Sequence, residues 1–285
     1  MAVYDANGNG LSSAYNTSGN SLSSAYDVNG NGILDTTGEF KLMTYNVQWF
    51  EGRNGIQAMQ DLIIATYSPD VIGLQEVYRH RSDLPPVGIQ MLSDYRNLYI
   101  STTTNPDGLA SKFPLEDVVM ARFTAQDPAD VSNSDERGYM KAYFRFGNAR
   151  ICWLNTHLAY ITAEYKHQQM MELFAMAENE EYCILTGDFN SYGTKADFDA
   201  MYKPFVSAGY HLANFAAEDD FTKTFSSSAT PTNTSEMTHP HDNLICSGSL
   251  SMKDVVFSPI KFQYQDGNAI DHIPIIATIS VGGTS

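Results

Sequence analysis

At 285 residues, with 43% apolar and 12% aromatic side chains, the chain is long enough to bury a sizeable core, as one large domain or two small ones. A formal net charge of −16 excludes a basic surface that grips nucleic acid tightly and without discrimination, because phosphate affinity comes mainly from Lys and Arg. It leaves room for a phosphate-bearing substrate, since divalent cations and a local cluster of Arg and Lys let an acidic protein approach a polyanion.

Residues 1–38 differ from the rest. They carry three copies of an 11-residue unit, YDANGNGLSSA from Tyr4, YNTSGNSLSSA from Tyr15 and YDVNGNGILDT from Tyr26. Gly-Asn in every copy and Ser-Ser in two oppose helix, so turn–strand units are expected. In the third copy Asp27, Asn29, Asn31, Gly32 and Asp35 match positions 1, 3, 5, 6 and 9 of an EF-hand calcium loop. Position 12 is Gly38 rather than a bidentate Glu, with Glu39 one residue late, and Asn-Gly repeats also make plain turns. A Ca²⁺ site and a simple turn array therefore both remain open. The array resembles spacers in bacterial surface and bacteriophage particle proteins, which implies contact with a surface or an assembly partner.

From Phe40 onward strands and helices alternate. "FKLMTYNVQWF" reads as a strand emptying into a polar loop. Ile56, Met59, Ile63 and Tyr67 then recur at helical spacing before the strand "SPDVIGLQEV". Further strands are expected at "DVVMARF", "GYMKAYFRF" and "ARICWLNTHL". Met170, Leu173, Phe174 and Ala177 mark an amphipathic helix, followed by the strands "YCILTGDFN", "HDNLICSG" and "IPIIATISV". Such runs, with few helices, predict an α/β fold of two packed sheets with helices outside, occupying residues 39–285 as one domain.

No run approaches the roughly 20 apolar residues of a membrane-spanning helix, and the N-terminus lacks the layout of a secretion signal. Either a cytoplasmic protein or a mature exported or particle-associated one is expected. Cys152, Cys183 and Cys246 lie beside or within apolar runs without metal-type spacing, which predicts buried free thiols.

Polar residues border these runs: Asn46 after "LMTY", Glu76 after "VIGLQ", Asn155 and His157 after "ICWL", Asp188 and Asn190 after "ILTG", Asp242 before "NLIC", and Asp271 and His272 before "IPIIATI". Singly, each has a turn or solvated-end explanation. Together, "TYNVQ", "LQEV", "NTHL", "GDFN", "HDNLICS" and "IDHIPI" resemble, in order and spacing, the endonuclease/exonuclease/phosphatase superfamily over residues 40–281. The resemblance implies a four-layered, deoxyribonuclease I-like α/β sandwich with its site at one mouth, and hydrolysis of phosphoesters assisted by Mg²⁺ or Mn²⁺.

It further implies that Glu76, Asn46 and Asp271 hold the metal, and that Asp188 orients or deprotonates the attacking water. Asn190 would donate to the phosphate, while His157 and His272 sit over it, with Asp242 fixing the tautomer of His272. Arg137 resembles a basic residue that contacts phosphate, although a surface arginine is an equal reading. Gln48 stands where some relatives carry an Asp near the metal. A further site residue is expected from "SKFPLEDVVMAR", without a choice among Glu116, Asp117 and their neighbours. Thr238 to His241 reads as a loop, a transition-metal site on His239 and His241 being the weaker reading.

Substrate choice is less legible. The alternatives within the same resemblance are a phosphatase and a sphingomyelinase-type phospholipid hydrolase; the latter would show an exposed apolar hairpin, for which Trp49–Phe50 and Leu84–Val87 are the nearest segments. Arg53, Arg79, His80, Arg81 and Lys112 fall in loops, a local basic cluster that favours nucleic acid as the phosphodiester substrate. A noncatalytic particle component built on the same fold is the reading from another class.

Overall fold

Continuous apolar runs become strands when both of their faces are covered, and that is how the central segments of this chain are used. A computed structural model describes residues 3–4, 10–11, 25–26, 32–33, 38–48, 63–77, 95, 97–101, 106–132, 136–214, 240–258 and 272–282. In the repeat segment these are two-residue strands: β1 (Val3–Tyr4) pairs antiparallel with β2 (Gly10–Leu11), and β3 (Ala25–Tyr26) with β4 (Gly32–Ile33). Asp27, Asn29, Asn31 and Asp35 lie outside the described residues.

The remaining strands are β5 (Glu39–Asn46), β6 (Val71–Gln75), β7 (Asn97–Ile100), β8 (Gly108–Ser111), β9 (Leu115–Arg122) and β10 (Gly138–Phe146). They continue as β11 (Ala149–His157), β12 (Cys183–Asp188), β13 (His211–Leu212), β14 (Asp242–Cys246), β15 (Leu250–Phe257) and β16 (Ile275–Val281). One six-stranded sheet has the order β13-β14-β12-β11-β10-β9, the other β15-β16-β5-β6-β8-β7. Each is mixed, with a parallel pair at its centre, β11 with β12 and β5 with β6.

Side chains alternate between layers, as the period of a strand requires. Ile151, Trp153 and Ile184 face Phe40, Leu42 and Val71 in the core between the sheets. Cys152, Leu154, Cys183 and Leu185 face outward, under Met170, Leu173 and Ala177 of the helix Ala163–Ala177. On the opposite outer face Met43, Tyr45, Ile72 and Leu74 pack with Ile63, which precedes the short helix Ala65–Tyr67. This is the two-sheet sandwich with outer helices expected from the sequence. The three cysteines are buried and free. Among the described residues no helix is long and apolar enough to cross a membrane.

One polar seam interrupts the core. The Gln75 amide donates to Asn155 Oδ1 (2.7 Å), which also accepts from Thr186 Oγ1 (2.7 Å), and Trp153 Nε1 donates to Thr186 Oγ1 (3.0 Å). Asn155 Nδ2 donates to the carbonyls of Leu74 and Gly108. Buried polar groups persist only when bonded, so this seam fixes how the two sheets register against one another. Gly73 makes room for it: a Cβ there would lie 2.1 Å from Thr186 Oγ1.

Candidate active site

Strand direction collects the polar residues at one end of the sandwich. β5, β6, β11 and β12 deliver Asn46, Glu76, His157 and Asp188 at or just beyond their C-terminal ends. β14 begins with Asp242, and His272 lies ahead of β16. Register confirms the convergence, because Asp188 stands opposite both His157 and Asp242. Asp271, the expected acidic metal ligand, lies outside the described residues.

The contacts centre on Asp188 Oδ2. Asn46 Nδ2 donates to it at 2.9 Å, and it lies 3.4 Å from His157 Nε2 and 3.7 Å from His272 Nε2. Asn46 Nδ2 also donates to Glu76 Oε1 at 3.1 Å, and His157 Nδ1 lies 3.7 Å from the same oxygen. Asn46 Oδ1 accepts from Gln48 N, which sets the orientation of the side-chain amide. Asn46 presents its nitrogen to the two carboxylates and bridges them. Asp242 Oδ2 holds His272 Nδ1 at 2.8 Å. Asn190 N donates to Asp188 Oδ1 and Asn190 Nδ2 to the Leu158 carbonyl. Glu76 (φ 53°) and Asn190 (φ 49°) both adopt left-handed backbone, uncommon for residues with a Cβ and concentrated at functional sites.

Arg137, just ahead of β10, is buried rather than on the surface, with Nε 3.9 Å from Asp130 Oδ2. Its backbone is held by Gln126, which accepts from Arg137 N and donates to Arg137 O. The guanidinium is close enough to act electrostatically on Glu76, Asp107 and His157.

Burial governs the protonation of the cluster. It pushes Glu76 up to about 7, against the Asn46 hydrogen bond, with Asp188 adding to the rise. His157 is held well below its ordinary value by burial and then by Arg137. At Asp188 burial opposes ionisation, but His157, His272 and His241 with the Asn46 amide outweigh it and hold the carboxyl below its ordinary value. The site thus contains an ionised Asp188 beside a Glu76 poised near neutrality.

Two groups in the site escape a sequence reading. Asp107, immediately before β8, is buried and pushed well up by burial, with the charges of Arg137, Asp188 and Glu76 acting on it. Its Oδ1 makes no hydrogen bond. His241 is buried, its ring 5.8 Å from that of Tyr192 and 6.1 Å from that of His272. In the sequence Asp107-Gly108 reads as a turn and Thr238 to His241 as a loop, and only burial sets them apart. His239 lies outside the described residues.

Other expected residues lie elsewhere. Ser111 pairs with Val71 at the start of β6, so Lys112 sits at the far end of the sheet and forms an ion pair with Asp70 (3.1 Å). Glu116 and Asp117 are also at the far end, paired with Arg145 and Arg150. Arg53, Arg79, His80, Arg81, Trp49, Phe50 and Leu84–Val87 are outside the described residues.

Oxygen donors suit a hard divalent cation. Among the described residues, Asp188, Asp242 and His272 offer donor atoms within 4.8 Å of one another. The hydrogen bond between His272 Nδ1 and Asp242 Oδ2 engages one nitrogen and one oxygen of this group. The Glu76 carboxylate beside Asp188 has the chemistry for such a cation, since a nearby positive charge favours the ionised form that burial disfavours.

The sequence model of the Endonuclease/Exonuclease/phosphatase family matches residues 43–260. No curated protein sequence matches the chain. Among solved structures, an endonuclease/exonuclease/phosphatase from Beutenbergia cavernae superposes with a TM-score of 0.61 at 13% identity, covering 86% of this chain and 72% of that one. A counterpart from Bacteroides vulgatus gives 0.60 at 17% identity, covering 86% and 99%. TDP2 of D. rerio, complexed with a single-strand DNA product, gives 0.60 at 14% identity, covering 86% and 100%. At these identities the structures bear on the fold, and the sequence match over most of the chain bears on descent. With two mixed sheets between outer helices and the matched segment spanning the strands that deliver Asn46 through Asp242, this chain belongs to the endonuclease/exonuclease/phosphatase family.

Proposed function

We propose that the chain is a divalent-metal-dependent phosphodiester hydrolase acting on nucleic acid, DNA in the first instance. The observation that carries this reading is the convergence of the Asn46 amide, His157 and His272 on Asp188 Oδ2, with Glu76 alongside. A noncatalytic scaffold would not need these groups, because burying polar and charged side chains is costly and apolar residues would close the sandwich end more cheaply.

Asp188, kept ionised, orients a water and accepts its proton as the new P–O bond forms. His272, whose Nδ1 is held by Asp242, turns Nε2 toward the site and supplies a proton or positive charge to the leaving oxygen. His157, held near neutral, hydrogen-bonds a non-bridging oxygen, and Asn190 and Arg137 complete the polar wall around the phosphate. Glu76, with Asp271 as its sequence-expected partner, would hold Mg²⁺ or Mn²⁺, which neutralises charge on the phosphate oxygens when bound. DNA is favoured by Arg53, Arg79 and Arg81, which follow the site strands β5 and β6 in sequence, and by the DNA product in the D. rerio structure.

The test is nicking of supercoiled plasmid with Mg²⁺, with Mn²⁺ and with EDTA, beside His157→Ala. Metal-dependent nicking, reduced about 10²- to 10⁴-fold in a folded variant, is expected. Equal nicking by the variant removes His157 from the reaction. Absence of nicking by the wild type ends the DNA assignment and directs the assay to sphingomyelin and inositol phosphates.

A further inference from the structure

The turn that carries Asn190 is held from behind by a fully buried lysine. Lys166, in the helix Ala163–Ala177, places Nζ 2.7 Å from the Asn190 carbonyl oxygen, 3.3 Å from Asp197 Oδ1 and 4.2 Å from the centre of the Tyr192 ring. Asp197 in turn accepts from Tyr192 N through Oδ2 (2.7 Å), and its Oδ1 meets His167 Nε2 at 3.0 Å. Thr194 Oγ1 accepts from Asp197 N, which fixes where that carboxylate starts. One ion pair thus pins both ends of the segment Asn190 to Tyr192.

Packing alone gives no reason for this charge. Of the neighbouring buried positions on the helix, Met170 and Leu173 are apolar and Gln169 is a neutral amide bonded to Ala159 N and the Ala125 carbonyl, so an uncharged side chain at 166 would fill the space without the cost of desolvating an ammonium. The segment it holds is also tied by Asn190 Nδ2 to the Leu158 carbonyl and by the Tyr192 hydroxyl to the Tyr160 carbonyl, but Lys166 is what bonds the Asn190 carbonyl oxygen. Asn190 has a left-handed backbone (φ 49°), and its amide N–H is what bonds the Asp188 carboxylate. Tyr192 also leans on His241, which leans on His272.

We propose that Lys166 and Asp197 are positioning residues, which hold the Asn190 turn, and through Tyr192 the His241–His272 side of the site, in the geometry that phosphodiester hydrolysis requires. The role in turnover rests on the functional reading above; the clamp on the turn does not.

A double-mutant cycle tests it. Mn²⁺-dependent phosphodiester hydrolysis is measured for the wild type, Lys166→Met, Asn190→Ala and the two combined. Lys166→Met should lower kcat about 100-fold with KM within about threefold, since a misplaced catalytic group costs rate rather than binding. Lys166→Arg should recover at least about tenfold of this, because it restores the charge and a donor. In the Asn190→Ala background the Lys166→Met change should cost at least about threefold less than in the wild type, because the part exerted through the Asn190 side chain is already lost while the part through Tyr192 remains. Lys166→Met/Asp197→Asn leaves no lone buried charge and should fold stably yet stay slow. A wild-type kcat in Lys166→Met, or equal losses in both backgrounds, overturns the proposal.

Amide hydrogen exchange reads the clamp without activity. In Lys166→Met the amides from Phe189 to Tyr192 should exchange at least about tenfold faster while the strands stay protected. Unchanged exchange overturns the proposal whether or not the wild type hydrolyses any phosphodiester. Faster exchange with an inactive wild type upholds the clamp and removes the functional reading.

Discussion

A largely buried carboxyl that is to hold a cation must first lose its proton, and in the role proposed for Glu76 the two events would be linked. Burial raises this group to about 7, so below that pH it carries a proton and above it an anion. Cation affinity should therefore rise with pH, by about tenfold per unit below about pH 7, and level off above. Calorimetric titration with Mn²⁺ across that range, in buffers of different ionisation enthalpy, should show up to about one proton released per cation near neutral pH. Glu76→Gln should bind more weakly and lose the pH dependence; an affinity flat with pH in the wild type would remove Glu76 as the ligand. The residues that order this chemistry differ in how far the sequence exposes them. His157, Asp188, Asn190, Asp242 and His272 fall in recognisable motifs at strand ends, and the fold brings them together. Asp107 does not, because Asp-Gly is a turn signal wherever it occurs, and what distinguishes this one is its burial, with the charges of Arg137, Asp188 and Glu76 acting on it.

Between the sheets, β6 comes close to β11 and β12 at Gly73. A Cβ there would meet Thr186 Oγ1 at 2.1 Å and Asn155 Oδ1 at 2.4 Å, both members of the polar seam beneath the site. Gly73→Ala should therefore lower stability by about 1–3 kcal/mol in urea unfolding, through overpacking and through lost hydrogen bonds. It should also slow turnover, since Gln75 and Asn155 lie one and two residues before Glu76 and His157. Gly209→Ala is the control: its φ is 85° but no atom lies within 4 Å, so only backbone strain of about 1 kcal/mol is expected. A Gly73→Ala protein as stable as the wild type would mean that the sheets do not approach so closely. The elements themselves were legible where burial is two-sided or strictly periodic. "VIGLQ" and "CILTGD" are buried at every position, and the Met170–Ala177 spacing predicts the face that the helix packs. Strands β7, β8 and β13 are short, and β15 is an edge strand with a register shift between Lys253 and Val256, so none shows a clear pattern. Strand direction is the other silent quantity. It places Lys112, Glu116 and Asp117 at the end of the sandwich opposite the site, although they are adjacent in sequence to residues that approach it.

For the whole molecule, net charge and site charge pull in different directions. The chain carries 33 acidic and 17 basic residues, so at long range it repels a polyanion, while the proposed chemistry requires a phosphate to reach Asp188 and Glu76. Screening acts on exposed charges such as Glu39, Asp117, Glu164 and Asp254 more than on the buried Asp188. With Mg²⁺ held saturating, the KM for DNA should then fall or stay level as NaCl rises from about 10 to 150 mM, where the Debye length shrinks from roughly 30 to 8 Å. A protein that binds DNA through many Lys and Arg contacts shows the reverse, an affinity that drops steeply with salt as counterions are no longer released to advantage. Lys112 contributes nothing to such contacts at the site, being paired with Asp70 at the other end of the sheet. Beside the buried Arg137, the basic residues that the sequence places just after β5 and β6 are Arg53, Arg79 and Arg81, and their replacement by Gln tests whether they supply an opposing contribution. If KM in the wild type climbs steeply with salt and the triple variant abolishes the climb, local arginines dominate over the net charge. If KM is level in both, the substrate is held mainly by the buried polar groups and the cation, and selectivity for nucleic acid over other phosphodiesters has to be read from the shape of the loops around β5 and β6.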